Sequence, residues 1–203
     1  MLGQLTVQNS EFRGNGVFGF TANGSDTAGI PGLAKVSLLN STFEGNGAPS
    51  ASATSLGQGD IHFNYYNGNA TLKDLTITGA TEHTGIHFRG YHNASTCAVQ
   101  DAGTWIFDNV TLAGSFRRPS GSAGTWNPSG PGHAIHIFEY GSVANVSFNN
   151  VKLNQTVGHG MFLEGLSSTL NIGNTAFGMP DRTITGTGTN PTTSMNIVSG
   201  SNS

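Results

Sequence analysis

Three histidines stand at the same place in three copies of one short motif: DIHF (60–63), GIHF (85–88) and AIHI (134–137). The motif is a small residue followed by apolar, variable, apolar. It returns as GMFL (160–163) and SMNI (194–197), with VFGF (17–20) as an imperfect first copy. Alternation at period two marks a half-buried strand. The variable residues His62, His87, His136, Phe162 and Asn196 are therefore expected on the outward face of one sheet. In neighbouring strands that column would space its side chains about 5 Å apart, near enough for ring stacking, a hydrogen-bond relay or a shared metal ion. His83, His133 and His159 fall just before the same strands.

Asp60, Arg89, Glu139 and Glu164 lie beside these histidines in sequence. Eliminative cleavage of an acidic sugar needs a base that works near neutral pH and a cation to neutralise the uronate. His87 with Arg89, or His136, could supply them. Hydrolysis needs two carboxylates about 5–9.5 Å apart, and Asp60, Glu139 and Glu164 do not recur in a pattern that demands pairing. The catalytic candidates are His87, Arg89, His136 and Glu139. The ligand-binding candidates are His62, His87, His136, Trp126, Tyr140 and Tyr91. Trp126 sits in GTWNPSGPG (124–132), which has no apolar period to bury it, so it either stacks on a sugar or protein partner or folds back over the sheet. Tyr65, Tyr66, Tyr91 and Tyr140 follow the histidine strands and would extend an aromatic rim. The plainer alternative is an imidazole stack that contributes packing only, beside solvated strand-edge carboxylates. No metal and no cofactor is expected.

A second repeat supplies the elements that would carry this face. It reads VQNSEF (7–12), LLNSTF (38–43), LKDLTI (72–77), FDNVTL (107–112), FNNVKL (148–153) and IGNTAF (172–177). In register it superposes Asn9, Asn40, Asp74, Asn109, Asn150 and Asn174. Two and four residues earlier stand Leu5/Val7, Val36/Leu38, Ala70/Leu72, Trp105/Phe107, Val146/Phe148 and Leu170/Ile172. Three residues later come Phe12, Phe43, Ile77, Leu112, Leu153 and Phe177. A repeat of a few tens of residues means stacked units, none able to bury its apolar face alone. With the histidine motif, each unit reads as three short strands and shows no helical period. That describes a coil of a parallel β-helix.

The Asn column fits the same geometry. A tight turn between two strands needs a residue that tolerates left-handed backbone angles, and after Gly, Asn does so best. Stacked inside coils roughly 4.8 Å apart, the amides would form an internal ladder. Such a ladder satisfies polar groups that would otherwise each cost about 1–3 kcal/mol. Asp74 would be its single, buried carboxylate. Asn-x-Ser/Thr sequons fall at Asn23, Asn40, Asn69, Asn93, Asn109, Asn145 and Asn154. Inward placement of Asn40 and Asn109 would leave no room for a glycan there, making much of the sequon count a by-product of composition.

Only 9% of the 203 residues are charged, against about a quarter in ordinary soluble domains. The net charge is −3, and only Arg117 and Arg118 are adjacent basic residues, so no nucleic-acid footprint is present. One cysteine, Cys97, excludes an intramolecular disulfide framework. The opening MLGQLTVQNS has neither a basic stretch nor a long apolar run, and no segment reaches the length of a membrane span. Met1 is expected to begin a mature or excised piece. Long Gly, Ser, Pro and Thr-rich connections (21–35, 44–59, 89–104, 114–132 and 178–193) would leave the stack outward, where binding function usually sits.

On these motifs the chain resembles the right-handed parallel β-helix repeat superfamily, which holds pectate lyases, other polysaccharide-active enzymes, phage tailspikes and autotransporter passengers. FRGN (12–15) and FEGN (43–46) are similar to the Phe-x-x-Asn repeats of chlamydial-type polymorphic outer-membrane passengers, although the companion Gly-Gly-Ala-Ile element is absent. The resemblance implies that the Asn turn joins the second and third sheets and that the histidine strand belongs to the first. In polysaccharide-active members substrate lies along the outer face of that sheet. No Asp cluster suits calcium in the manner of pectate lyases.

The expectation is thus an all-β chain forming one domain over 1–203: a right-handed parallel β-helix of about six coils, an internal Asn ladder and long surface loops. It lacks caps of its own, as a fragment or stacking subunit would. The expected function is an extracellular or cell-surface structural or adhesive protein, assembling end to end into a filament or belonging to a longer passenger. Its partners would be copies of itself or neighbouring coils, and polysaccharide or a host surface. The alternative is a carbohydrate-active enzyme, lyase or hydrolase, or a carbohydrate-binding module, using the His/Tyr/Trp face.

Overall fold

Both repeats form strands, and their fixed offsets become the register between strands. A computed structural model describes residues 3–16, 18–23, 35–46, 59–64, 66, 68–81, 84–89, 100–116, 134–138, 142–154, 161–164, 170–178 and 195–198. The strands are β1 (Gln4–Gln8), β2 (Glu11–Arg13), β3 (Phe18–Asn23), β4 (Lys35–Glu44) and β5 (Gly59–Asn64), then β6 (Asn69–Thr81), β7 (Thr84–Arg89) and β8 (Gln100–Phe116). There follow β9 (Ile135–Phe138), β10 (Ser142–Asn149), β11 (Lys152–Asn154), β12 (Met161–Glu164), β13 (Leu170–Gly173), β14 (Ala176–Gly178) and β15 (Met195–Val198). No helix occurs among the described residues.

The chain alternates between two sheets, and the strand pairings within them are parallel. One sheet runs β1-β4-β6-β8-β10-β13, with β2, β11 and β14 continuing it beyond the Asn positions. The other runs β15-β12-β9-β7-β5-β3. Three strands per unit were expected. Instead, β4, β6 and β8 each run unbroken through the Asn position, so the two strands flanking it share one sheet.

The columns align as their spacing predicts. Leu5 pairs with Val36, Val36 with Ala70, Ala70 with Trp105, Trp105 with Val146, and Val146 with Leu170. On the far side of the turn Phe12 meets Phe43, which meets Ile77, then Leu112, Leu153 and Phe177. Val36, Ala70, Trp105 and Val146 are wholly buried, as are Phe43, Ile77, Leu112 and Leu153. Like residues on neighbouring strands stack their rings: Phe12 on Phe43 at 4.7 Å, Phe63 on Phe88 at 4.1 Å, Phe107 on Phe148 at 4.7 Å. Each such pair adds about 0.5–1.5 kcal/mol beyond the area it buries. The polar ends of buried aromatics are satisfied, with Tyr66 Oη donating to the Asn69 carbonyl at 2.7 Å and Trp105 Nε1 to that of Gly68 at 3.1 Å.

All six turn positions adopt the left-handed backbone conformation that called for Asn: φ is 53° at Asn9, 44° at Asn40, 54° at Asp74, 55° at Asn109, 51° at Asn150 and 46° at Asn174. Their side chains do form a ladder. Asn40 Nδ2 donates to Asn9 Oδ1 at 2.7 Å, Asn109 to Asp74 at 2.6 Å, Asn150 to Asn109 at 2.8 Å, and Asn174 to Asn150 at 3.5 Å. The ladder is nevertheless at the surface and not in the interior. Asn150 is half-buried and the other five positions are exposed. A left-handed turn fixes the backbone angle but leaves the side chain on the outside of the bend. Asp74 is therefore not a buried charge, and burial does not bar a glycan from Asn40 or Asn109, although their amides are engaged in the ladder.

Candidate functional site

The histidine column exists, with its register as expected. His62 pairs with His87, His87 with His136, His136 with Phe162 and Phe162 with Asn196. Its rings stack nearly in parallel: His62 on His87 at 5.0 Å and 2°, His87 on His136 at 4.9 Å and 15°. Phe18 extends the stack beyond His62 at 4.9 Å. Strand alternation turns these side chains away from Ile61, Phe63, Ile86 and Phe88, which are wholly buried core residues. The face is not open, however. His62 is 7% exposed and His87 5%, with His136 half-buried. An outward direction on a strand is not the same as exposure.

The first copy of the motif is shifted by two residues from the sequence reading. Phe20 pairs with Ile61, Thr21 with His62 and Ala22 with Phe63, so the copy is GFTA (19–22) and not VFGF (17–20). Sterics explain the choice. A Cβ on Gly19 would lie 2.7 Å from the Asp60 carbonyl oxygen and 2.9 Å from both Asn46 Nδ2 and Phe43 Cδ1. The place opposite Asp60 has room for no side chain, and Gly19 is the residue that fits it.

That crowding surrounds a polar cluster which the sequence reading missed. Asn46 and Asp60 are both wholly buried. Asp60 Oδ1 accepts from Asn46 Nδ2 at 2.8 Å and from the Asn46 backbone N–H at 3.3 Å. Asn46 Nδ2 also donates to the Phe12 carbonyl at 3.0 Å. Asn46 Oδ1 accepts from the backbone and side chain of Asn15 at 3.1 and 2.7 Å. Burial pushes the Asp60 carboxyl up to about 7, against the opposing pull of the Asn46 side-chain and backbone hydrogen bonds. Its Oδ2 is buried and has no hydrogen-bond partner among the described residues, which suits an oxygen that carries a proton. The signal was present in FRGN and FEGN. Gly14 and Gly45 turn the chain at φ 61°. That turn follows the stacked Phe12 and Phe43 and leads into Asn15 and Asn46. With a carboxyl near 7, Asp60 has the proton affinity of an acid–base group, but it lies beneath Gly19 and Asn46 where no substrate reaches it.

The other nominated residues divide as follows. Register sets Asn64, Arg89, Phe138, Glu164 and Val198 in one column, two residues beyond the histidines. Tyr66, expected on an aromatic rim, is 1% exposed and packs edge-on against Phe63 at 5.1 Å. Burial pushes its hydroxyl up to about 12. Glu139, Tyr140, Tyr91, Trp126, Tyr65, His83, His133 and His159 lie outside the described residues. Among the described residues no three His, Cys, Asp or Glu side chains converge as a metal-binding set, and no helix is long and apolar enough to cross a membrane. Comparison with protein-family models, curated proteins and solved structures gives no match.

Proposed function

We propose that this chain is a right-handed parallel β-helix of about six coils acting as an extracellular or cell-surface structural and adhesive scaffold. The observation that carries the reading is the condition of the histidine face. A catalytic or sugar-binding column must present its side chains to solvent, whereas His62 and His87 are buried and packed ring on ring. They behave as polar-edged aromatic rungs, the outer counterpart of Phe63 on Phe88. The sparsely charged surface suits a scaffold that lies against sugars or other proteins. The ladder and parallel register suit one whose units repeat.

The test compares wild type with His87→Phe. A scaffold keeps its circular dichroism and melting behaviour when one stacked ring replaces another, and neither protein generates the ultraviolet absorbance of unsaturated uronate from acidic polysaccharides. Cleavage by wild type that His87→Phe abolishes, with the fold intact, would reverse the assignment in favour of a lyase.

A further inference from the structure

We propose that the two ends of the strand stack are complementary faces of one interface, joining copies of this chain head to tail in continuous register. The inference rests on the scaffold reading and names its partner as a second copy.

Three observations carry it. Apolar columns that are wholly buried in the interior of the stack come to the surface at its two edge strands. Leu5 on β1 is 36% exposed, while Val36, Ala70, Trp105 and Val146 in its column are at 0%. Ile172 on β13 is 39% exposed, while Leu38, Leu72 and Phe107 in its column are at 0% and Phe148 at 1%. These two strands are the ends of their sheet, as β3 and β15 are of the other, so their outer backbone edges pair with no described strand.

The end strands also carry the same residue pattern: Leu5-x-Val7-x-Asn9-x-x-Phe12 at one end and Leu170-x-Ile172-x-Asn174-x-x-Phe177 at the other. Parallel addition of β1 from a second copy onto β13 would set Leu on Leu, Val on Ile, Asn on Asn and Phe on Phe. That repeats the junction already made between β1 and β4 or between β10 and β13.

The ladder, finally, has a polarity. Each observed rung donates its Nδ2 to the Oδ1 of the rung nearer β1. Asn9 is then a donor, and Asn174 an acceptor, with no further rung among the described residues. The backbone bonds at the turn run in the opposite sense, the Asn9 N–H donating to the Leu39 carbonyl at 3.1 Å and the Asn150 N–H to the Gly173 carbonyl at 3.2 Å, so the polarity of the ladder belongs to its side chains. Only a head-to-tail contact brings an Asn9 donor to an Asn174 acceptor. A head-to-head contact would oppose donor to donor and run the strands antiparallel. A heterologous contact of this kind does not close on itself and grows open chains.

Sedimentation velocity over a range of concentrations tests this with Leu5→Lys and Ile172→Lys, both at exposed positions, their folding checked by circular dichroism. Wild type is expected to form species that lengthen with concentration. Each variant alone is expected to be monomeric, because one of its two faces is blocked. An equimolar mixture is expected to give a discrete dimer and nothing larger, since each variant retains the face the other lacks. A wild type monomeric at all concentrations overturns the proposal and means that something other than a second copy covers these edges. Dimerisation of either variant alone overturns the head-to-tail polarity. Neither result touches the scaffold reading, which fails separately, on polysaccharide cleavage.

Discussion

Two sets of amide hydrogen bonds tie successive repeats of this chain together, and they sit in opposite surroundings. Asn9, Asn40, Asp74, Asn109 and Asn174 lie in the open, at the outside of a left-handed turn, linked rung to rung. Asn46 is sealed in, and its side chain engages Asn15, Phe12 and Asp60 at once. The rungs compete with water for every bond, so each contributes about 0.5–1.5 kcal/mol. The sealed amide has no water to fall back on, and losing it leaves partners stranded at the higher cost of unsatisfied buried groups. Residue type and bond length are alike in the two places. Burial separates them.

Acidity probes the sealed set most strongly. Burial pushes the Asp60 carboxyl up to about 7 in the folded chain, from an ordinary value of 3.8. Between those values the native state holds a proton that the unfolded chain has released. The associated stability is fully present below about pH 4 and is lost as pH rises through about 7, a change of roughly 4 kcal/mol. Asp60→Asn keeps an acceptor for Asn46 and removes the ionisation, so it is expected to abolish this slope and to be the more stable protein at pH 8. Urea unfolding at pH 4, 6 and 8 measures the effect. An unchanged slope in Asp60→Asn would erase the distinction between the two sets.

Asn46→Ala comes next. It removes the donors to Phe12 and Asp60 and the acceptor for Asn15 inside a packed site, and is expected to cost about 3 kcal/mol in the same urea experiment. A loss under about 1 kcal/mol would mean that water replaces the amide, and the set would then differ little from the exposed ladder.

Much of this was legible from residue spacing, and some of it could not have been. The apolar columns followed from period-two alternation plus a constant offset to Asn, because a one-residue slip would turn every core side chain outward. The left-handed turn followed from the residue type at six equivalent places. Burial did not follow. Asn at a positive φ says how the backbone bends, and nothing about whether its amide ends inside or outside. His62 and His87 belong to the outward face that their spacing indicates, but the direction of a side chain on a strand does not fix its exposure. The register of the first motif copy was lost because Phe18 and Phe20 both fit an apolar slot. The deciding contact, Gly19 against Asp60 and Asn46, joins residues far apart in sequence. Asn46 itself was marked only by a motif present twice.

The ladder's own contribution can be separated from the turn it sits on. Asn109→Ala removes a rung and also strips φ 55° of the short polar side chain that lets Asn and Asp hold it, a conformation costing other L-residues roughly 1–2 kcal/mol. Asn109→Gly removes the rung but accepts the backbone angle. The expected losses are about 2 kcal/mol for Ala and about 1 kcal/mol for Gly, read as shifts in the urea midpoint. Equal losses would mean that the turn and not the hydrogen bonds to Asp74 and Asn150 explains these residues.

Asp74 offers the smallest effect, and the opposite sign. It accepts from Asn109 but, as a carboxylate, has no N–H to donate to Asn40, so the chain of donors is interrupted at the third rung. Asp74→Asn keeps the acceptor and the tolerance for φ 54°, and adds an Nδ2 opposite Asn40 Oδ1. Register already brings these positions together, since Leu39 pairs with Lys73 and Ser41 with Leu75. The new bond forms at the surface, so the gain is about 0.5–1 kcal/mol, seen as a raised melting temperature with unchanged cooperativity. No buried charge is relieved by this substitution, because Asp74 is exposed. A lowered melting temperature would mean that the exposed rungs do not act as a donor chain, and with it would go the polarity that orders one copy onto the next.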